Sequence, residues 1–169
     1  MPRVEAAGRA LLRTATPADL DFVVATERLP GYELLTARWS RDEHAAALAR
    51  DDTRYLIGSR PGAGPEGFAI LQPLRDPHEG AKLKRICVTR PGSGFGQPFL
   101  AAVIDSVFAT TDNERLWLDV FTHNERARHA YRRVGMREDG LLRHAYRMPD
   151  GTRADRCIMS ILRSEWHAA

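Results

Sequence analysis

The residues best suited to chemistry lie between Lys82 and Met136. Gly92, Gly94 and Gly96 alternate within Arg90-Pro91-Gly92-Ser93-Gly94-Phe95-Gly96, after an alternating run over 82–88 and before a helical pattern over 98–110. Glycines between a strand and a helix let the main chain approach a ligand closely. The first turn of the helix adds unpaired N–H groups and a partial positive charge. Such a junction suits a phosphate or pyrophosphate, although a tight turn alone asks for the same glycines. A Walker loop is excluded, because Gly96 is followed by Gln97 and Pro98 instead of lysine and a hydroxyl residue. A dinucleotide-binding domain is disfavoured: Asp119 stands at a workable distance, but the loop comes mid-chain instead of after a first strand. Cys87 and Cys157 lack the paired spacing of a zinc site, and the six histidines show no ligand spacing. No metal is expected, and both thiols read as reduced core or strand residues.

A strand must precede these glycines and a helix must follow them. Leu11–Thr14 is a short strand, and Thr16-Pro17 opens a helix over 18–27 as cap and first helical residue. Ser40 and Glu43 have capping-box spacing and open a helix to about Arg50. Strands are expected over 54–59, 67–74, 82–88 and 115–120, the third alternating Leu83, Arg85 and Cys87 against Lys84, Ile86 and Val88. Asn124 caps a helix that places Ala127, Ala130, Tyr131 and Val134 on one face and ends at Gly135. A hairpin over 136–148 and 153–163 closes through Pro149-Asp150-Gly151-Thr152. With 169 residues, 43% of them hydrophobic and 28% charged, the chain fits one α/β domain (residues 1–169, core 10–166) and not a disordered or fibrous chain. Residues 1–8 carry no apolar stretch, and the longest apolar run, 99–109, is interrupted by Asp105 and too short for a bilayer. A cytoplasmic protein without membrane contact is expected. The net charge of +3 lacks the dense basic stripe of a nucleic-acid binder.

Leu83-Lys84-Arg85-Ile86-Cys87-Val88, the glycine loop, Leu116-Trp117-Leu118-Asp119-Val120 and Asn124-Glu125-Arg126-Ala127 with Tyr131, taken in order, resemble the GNAT superfamily of acetyl-CoA-dependent N-acetyltransferases. The arrangement looks most like the branch containing ribosomal-protein N-terminal acetyltransferases. The resemblance implies a mixed, centrally splayed sheet with helices on both faces. It implies acetyl-CoA held by main-chain groups of Gly92, Ser93, Gly94, Phe95, Gly96 and Gln97, with Arg90, Asn124 and Ala127 nearby. The strand at Ile86, Cys87 and Val88 would pair with the pantetheine arm, and an N–H of Val88 or Cys87 would polarise the thioester carbonyl. Tyr131 would be the general acid. Tyr32, Glu33, Arg38 and Trp39 would wall the acceptor site, with Asp119 and His123 close by.

The expected reaction is direct attack of an amine on the thioester in a ternary complex. Lys82 stands where related sequences often carry a glutamate that serves as base. Deprotonating a lysine-like amine (pKa ~10.4) at pH 7 costs about 4.6 kcal/mol, against about 1–1.4 kcal/mol for an α-amine near 7.7–8.0. The expected acceptor is a primary amine, either a peptide or protein α-amine or a small amine, and the α-amine is the easier substrate for this site. The alternatives are a non-catalytic acetyl-CoA sensor or subunit and a transferase for a longer acyl chain. A homodimer through the last strand, 153–163, is a further expectation.

Overall fold

Thr16 and Asp19 start the first helical segment. The Thr16 N–H and hydroxyl donate to the Asp19 carboxylate at 2.8 and 3.2 Å. The structure, a computed structural model, describes residues 9–167. The reading of residues 1–8 as lacking a leader lies outside the described residues. After strand β1 (Leu11–Thr14) the expected helix opens as a 3-10 turn, Pro17–Asp19, and continues as α1 (Leu20–Glu27). Helix α2 (Arg41–Leu48) begins at a reciprocal cap. The Glu43 N–H donates to Ser40 Oγ at 3.2 Å, and the Ser40 N–H donates to Glu43 Oε2 at 2.6 Å.

Strands β2 (Arg54–Ser59), β3 (Gly67–Leu71) and β4 (Ala81–Val88) follow. β3 stops short of the expected residue 74, because Pro73 has no N–H with which to continue a ladder. Then come α3 (Gly96–Thr110), β5 (Arg115–Phe121), α4 (Glu125–Arg133), β6 (Arg137–Arg147), β7 (Arg153–Leu162) and the single turn α5 (Arg163–His167).

The strands form one seven-stranded mixed sheet in the order β1-β2-β3-β4-β5-β7-β6. Every neighbouring pair is antiparallel except β4 and β5. On one face α3 buries Phe99, Leu100, Val103, Ile104 and Val107 against Leu83, Leu116, Leu118 and Met159, with Tyr131 of α4 at the edge of that cluster. On the other face Val23 of α1 and Ala47 of α2 pack on Tyr55, Phe68, Ile70 and Cys87. Each fully buried aliphatic or aromatic side chain contributes about 1.5–3 kcal/mol, so these two layers fix where the strands between them lie.

The expected alternation along β4 breaks once. Ile70 pairs with Arg85 but the next residue, Leu71, pairs with Leu83, leaving Lys84 as a bulge. The inserted residue resets the facing. Leu83 joins the α3 layer, while Arg85 and Cys87 turn to the α1–α2 side. β4 and β5 pair only at Ala81↔Leu116 and Lys82↔Trp117. Past that rung the two parallel strands part.

Candidate active site

Beyond Lys82 the edge of β4 facing β5 is not taken up by a strand. The Thr89 N–H donates to Glu66 O at 2.8 Å, so alternation along the antiparallel ladder turns Cys87 toward β3 and Val88 toward the gap. Tyr32 closes both Val88 groups: its hydroxyl donates to Val88 O at 2.9 Å and accepts from the Val88 N–H at 3.0 Å. This alters two sequence expectations. Tyr32, expected in an acceptor wall, is buried against β4. The Val88 N–H, expected to polarise a carbonyl, already has a partner, and the Cys87 N–H points into the ladder.

Just past Val88, at the same end of β4, the chain turns through Gly92 and Gly94, whose φ of 84° and 82° lie where side chains bring strain. A Cβ added at Gly92, Gly94 or Gly96 would meet nothing within 4 Å, so open space lies over the loop. Pro98 has no N–H, and the first helical bond of α3 runs from the Phe99 N–H to Phe95 O. The amides of Gly96 and Gln97 are thus orphan donors of the helix start. Phe95 is buried and stacks on Phe99, so only its main chain faces this space. Arg60 props the loop from β2's end, donating to Ser93 O at 2.9 Å with its guanidinium 5.1 Å above the Phe95 ring. Arg90 is exposed, and its carbonyl accepts from the Ser93 N–H at 3.2 Å.

Helix α4 is capped by Asn124, which accepts from the Ala127 N–H at 3.2 Å. The Gln97 side chain donates to Ala130 O at 3.0 Å, tying α4 to the start of α3 one residue before Tyr131. Tyr131 is half-buried as a residue. Burial holds its phenol well above the ordinary value, followed by the neighbouring Cys87, Tyr32 and Asp119. Those three groups project on the α1–α2 side, whereas α4 packs on the opposite face. Burial likewise pushes the Cys87 thiol up to about 12.

On the α1–α2 side Asp119 is spanned by two cations, with Lys82 Nζ at 3.2 Å from Oδ1 and Arg156 Nη1 at 2.9 Å from Oδ2. Trp39 is a structural member of this side more than an open wall. Its N–H donates to Glu27 Oε1 at 2.9 Å, and its ring carries Arg85 at 4.7 Å and Lys84 at 5.0 Å. Glu27 also accepts from Arg85 at 2.7 Å, and His44 Nε2 lies 3.2 Å from its Oε1 but off hydrogen-bonding geometry. His44 Nδ1 in turn meets the Tyr55 hydroxyl at 2.9 Å. Glu33 accepts from the Gly31 N–H, Arg38 is exposed, and exposed His123 stacks on Phe121 at 5.2 Å. These three are not drawn into the gap with Tyr131. Sequence reasoning missed Arg156, the Gln97 side chain and the Glu27–Arg85 pair. Their partners are separated by 37, 33 and 58 positions, beyond the reach of any local pattern.

A sequence model of the acetyltransferase (GNAT) domain matches residues 9–137. The chain belongs to the GNAT acetyltransferase family. Its fold is shared with the spermidine N-acetyltransferase SpeG of Vibrio cholerae, solved in complex with CoA and spermine. That structure has a TM-score of 0.81 at 21% identity, covering 94% of this chain and 98% of that one. A chimera of SpeG with hSSAT gives 0.84 at 21% identity, covering 96% and 100%. The protein is thus a GNAT acyltransferase that moves an acetyl group from acetyl-CoA to an amine.

Proposed function

We propose that the coenzyme lies along the α3–α4 face and the acceptor amine enters from the α1–α2 face, the two meeting in the gap between β4 and β5. The observation that carries this reading is that β4 and β5 pair only at Ala81↔Leu116 and Lys82↔Trp117 and then part, between the layer holding Tyr131 on one face and the layer holding Tyr32 and Cys87 on the other. The loop fits the coenzyme: orphan amides, open space and a helix start converge there. Gly92, Ser93, Gly94, Gly96 and Gln97 would hold its diphosphate through main-chain groups, and Ile86 and Val88 its pantetheine arm. Bound there, acetyl-CoA supplies the acyl group as a thioester.

This chain's residues then have distinct tasks. Tyr131 keeps its proton through neutral and alkaline pH and delivers it at Oη to the departing thiolate. The Cys87 thiol, held near 12, is protonated at neutral pH, which favours direct attack by the amine over an acyl-cysteine. Asp119 already carries Lys82 and Arg156, so the acceptor is an amine that loses its proton readily, foremost a peptide or protein α-amine. A small polyamine, the acceptor named for the similar Vibrio cholerae enzyme, is the second reading.

Tyr131→Phe tests the assignment. The expected outcome is a fall in kcat of about 10²–10³-fold, with calorimetric acetyl-CoA affinity within about twofold of wild type. An undiminished kcat overturns it. The expected homodimer cannot arise by pairing at an edge of β7, which lies between β5 and β6; strand pairing would fall to β6. A cytoplasmic setting accords with the absence, among the described residues, of a helix long and apolar enough to cross a membrane.

A further inference from the structure

We infer that the acceptor carries a carboxylate near its amine, seated on the α2 side of β4 and β5. The inference rests on the proposed entry of the amine from that face. A cavity of about 540 Å³ opens there beside the last paired rung, lined by Arg50, Asp52, Glu79, Lys82, Lys84 and Trp117 among others. Three of those six side chains are cations and two are carboxylates, so the lining is net positive. Arg50 and Asp52 cancel each other, Arg50 Nε and Nη2 donating to both Asp52 oxygens at 2.9 and 3.0 Å, so the excess rests on Lys82 and Lys84 against Glu79.

Lys84 is the distinctive group. It is the bulged residue of β4, so it stands out of the ladder. No carboxylate of the described residues lies within ion-pair distance of its ammonium, and its Nζ rests 5.0 Å above the Trp39 ring. Lys82 is placed similarly, 4.5 Å above the Trp117 ring, and shares Asp119 with Arg156. Both ammonium groups are therefore held in position by indole faces. Burial and the charges of Lys82, Arg85 and Arg50 lower the pKa of Lys84, as expected for a cation short of counter-charge. The Trp117 indole N–H adds a buried donor with no acceptor in the protein. Donors and positive charge exceed acceptors, and an entering carboxylate supplies what is missing.

This site lies where the gap begins. Lys82, in the last paired rung, contacts Asp119, which stands two residues farther along β5 on the same face as Trp117. An acceptor amine at the gap thus places a carboxylate a few bonds away against Lys82 and Lys84. A polycation entering there meets like charge.

Four acceptors test this: the tripeptide amides Ser-Glu-Glu, Ser-Gln-Gln and Ser-Arg-Arg, each with a single primary amine, and spermidine. Thiol release gives kcat/KM, and calorimetry of the same peptides without acetyl-CoA gives Kd. The expected order is Ser-Glu-Glu, then Ser-Gln-Gln, then Ser-Arg-Arg, with the outer pair separated by ~10-fold or more at 0.1 M salt and converging at 1 M. Lys84→Glu is expected to reverse the ratio of Ser-Glu-Glu to Ser-Gln-Gln in both readouts, and Lys84→Arg to preserve it. Preference for Ser-Arg-Arg or spermidine, equal rates for the three peptides, or a ratio unmoved by Lys84→Glu overturns the inference and leaves amine acetylation standing. Absence of thiol release with all four, from protein that binds acetyl-CoA, overturns the proposed function itself.

Discussion

Cys87 and Asp19 show how single side chains have their protonation set by what surrounds them. The Cys87 thiol, pushed up to about 12, should be thiolate to only ~10⁻³ at pH 9, where an ordinary cysteine is mostly ionised. Iodoacetamide at pH 9 should therefore leave Cys87 unmodified in folded protein and label it readily in urea, as read by mass spectrometry. Asp19 is held down to about 2, first by its hydrogen bond with Arg13. Its folded value lies below its unfolded one, so the pair's contribution is whole above pH ~4 and disappears as pH falls toward 2. Melting curves of wild type and Asp19→Asn should differ at pH 6 and converge near pH 2. At this scale the sequence was most legible where partners are close in the chain. Asn124 reads as a cap because it bonds three residues on. The partner of the Tyr32 hydroxyl lies 56 positions away, so a residue that could be named as near the site could not be given its contact.

Among elements, the segment joining α1 to α2 matters most, because Tyr32 anchors it to the free edge of β4. Removing that hydroxyl exposes both Val88 groups without changing the ring. Tyr32→Phe is expected to tighten acetyl-CoA binding by about 1–2 kcal/mol, roughly 5–30-fold in calorimetric Kd, because two existing hydrogen bonds no longer compete. Unchanged or weaker binding would show that the coenzyme leaves those groups alone. The helices and most strand limits were readable because capping residues, prolines and apolar spacing are local signals. The bulge at Lys84 was not, since β4 alternates acceptably on paper and the extra residue appears only when β3 is laid beside it. The gap between β4 and β5 likewise entered by resemblance alone, because parallel partners are chosen by what packs on their faces.

Across the whole molecule, Glu27 joins α1, the Trp39 segment, α2 and β4 through one carboxylate that is fully buried. Glu27→Gln leaves Arg85 charged and underpaired, so a loss of about 3–5 kcal/mol is expected. In a thermal melt that corresponds to about 6–20 °C for a chain of this size. Glu27→Met with Arg85→Met should recover much of it, since removing both charges leaves none stranded. The order of elements and the mixed sheet were legible from the chain. Its lateral arrangement, with β7 inserted between β5 and β6, rests on register that no local pattern encodes. The parted strands give that sheet one place where it can be crossed. On the proposed arrangement neither substrate would have to squeeze past the other to arrive, and each product would retreat by its own door. A tethered mimic of both would have to be threaded like a needle, slim end first, so linker girth would govern its potency as much as either end group.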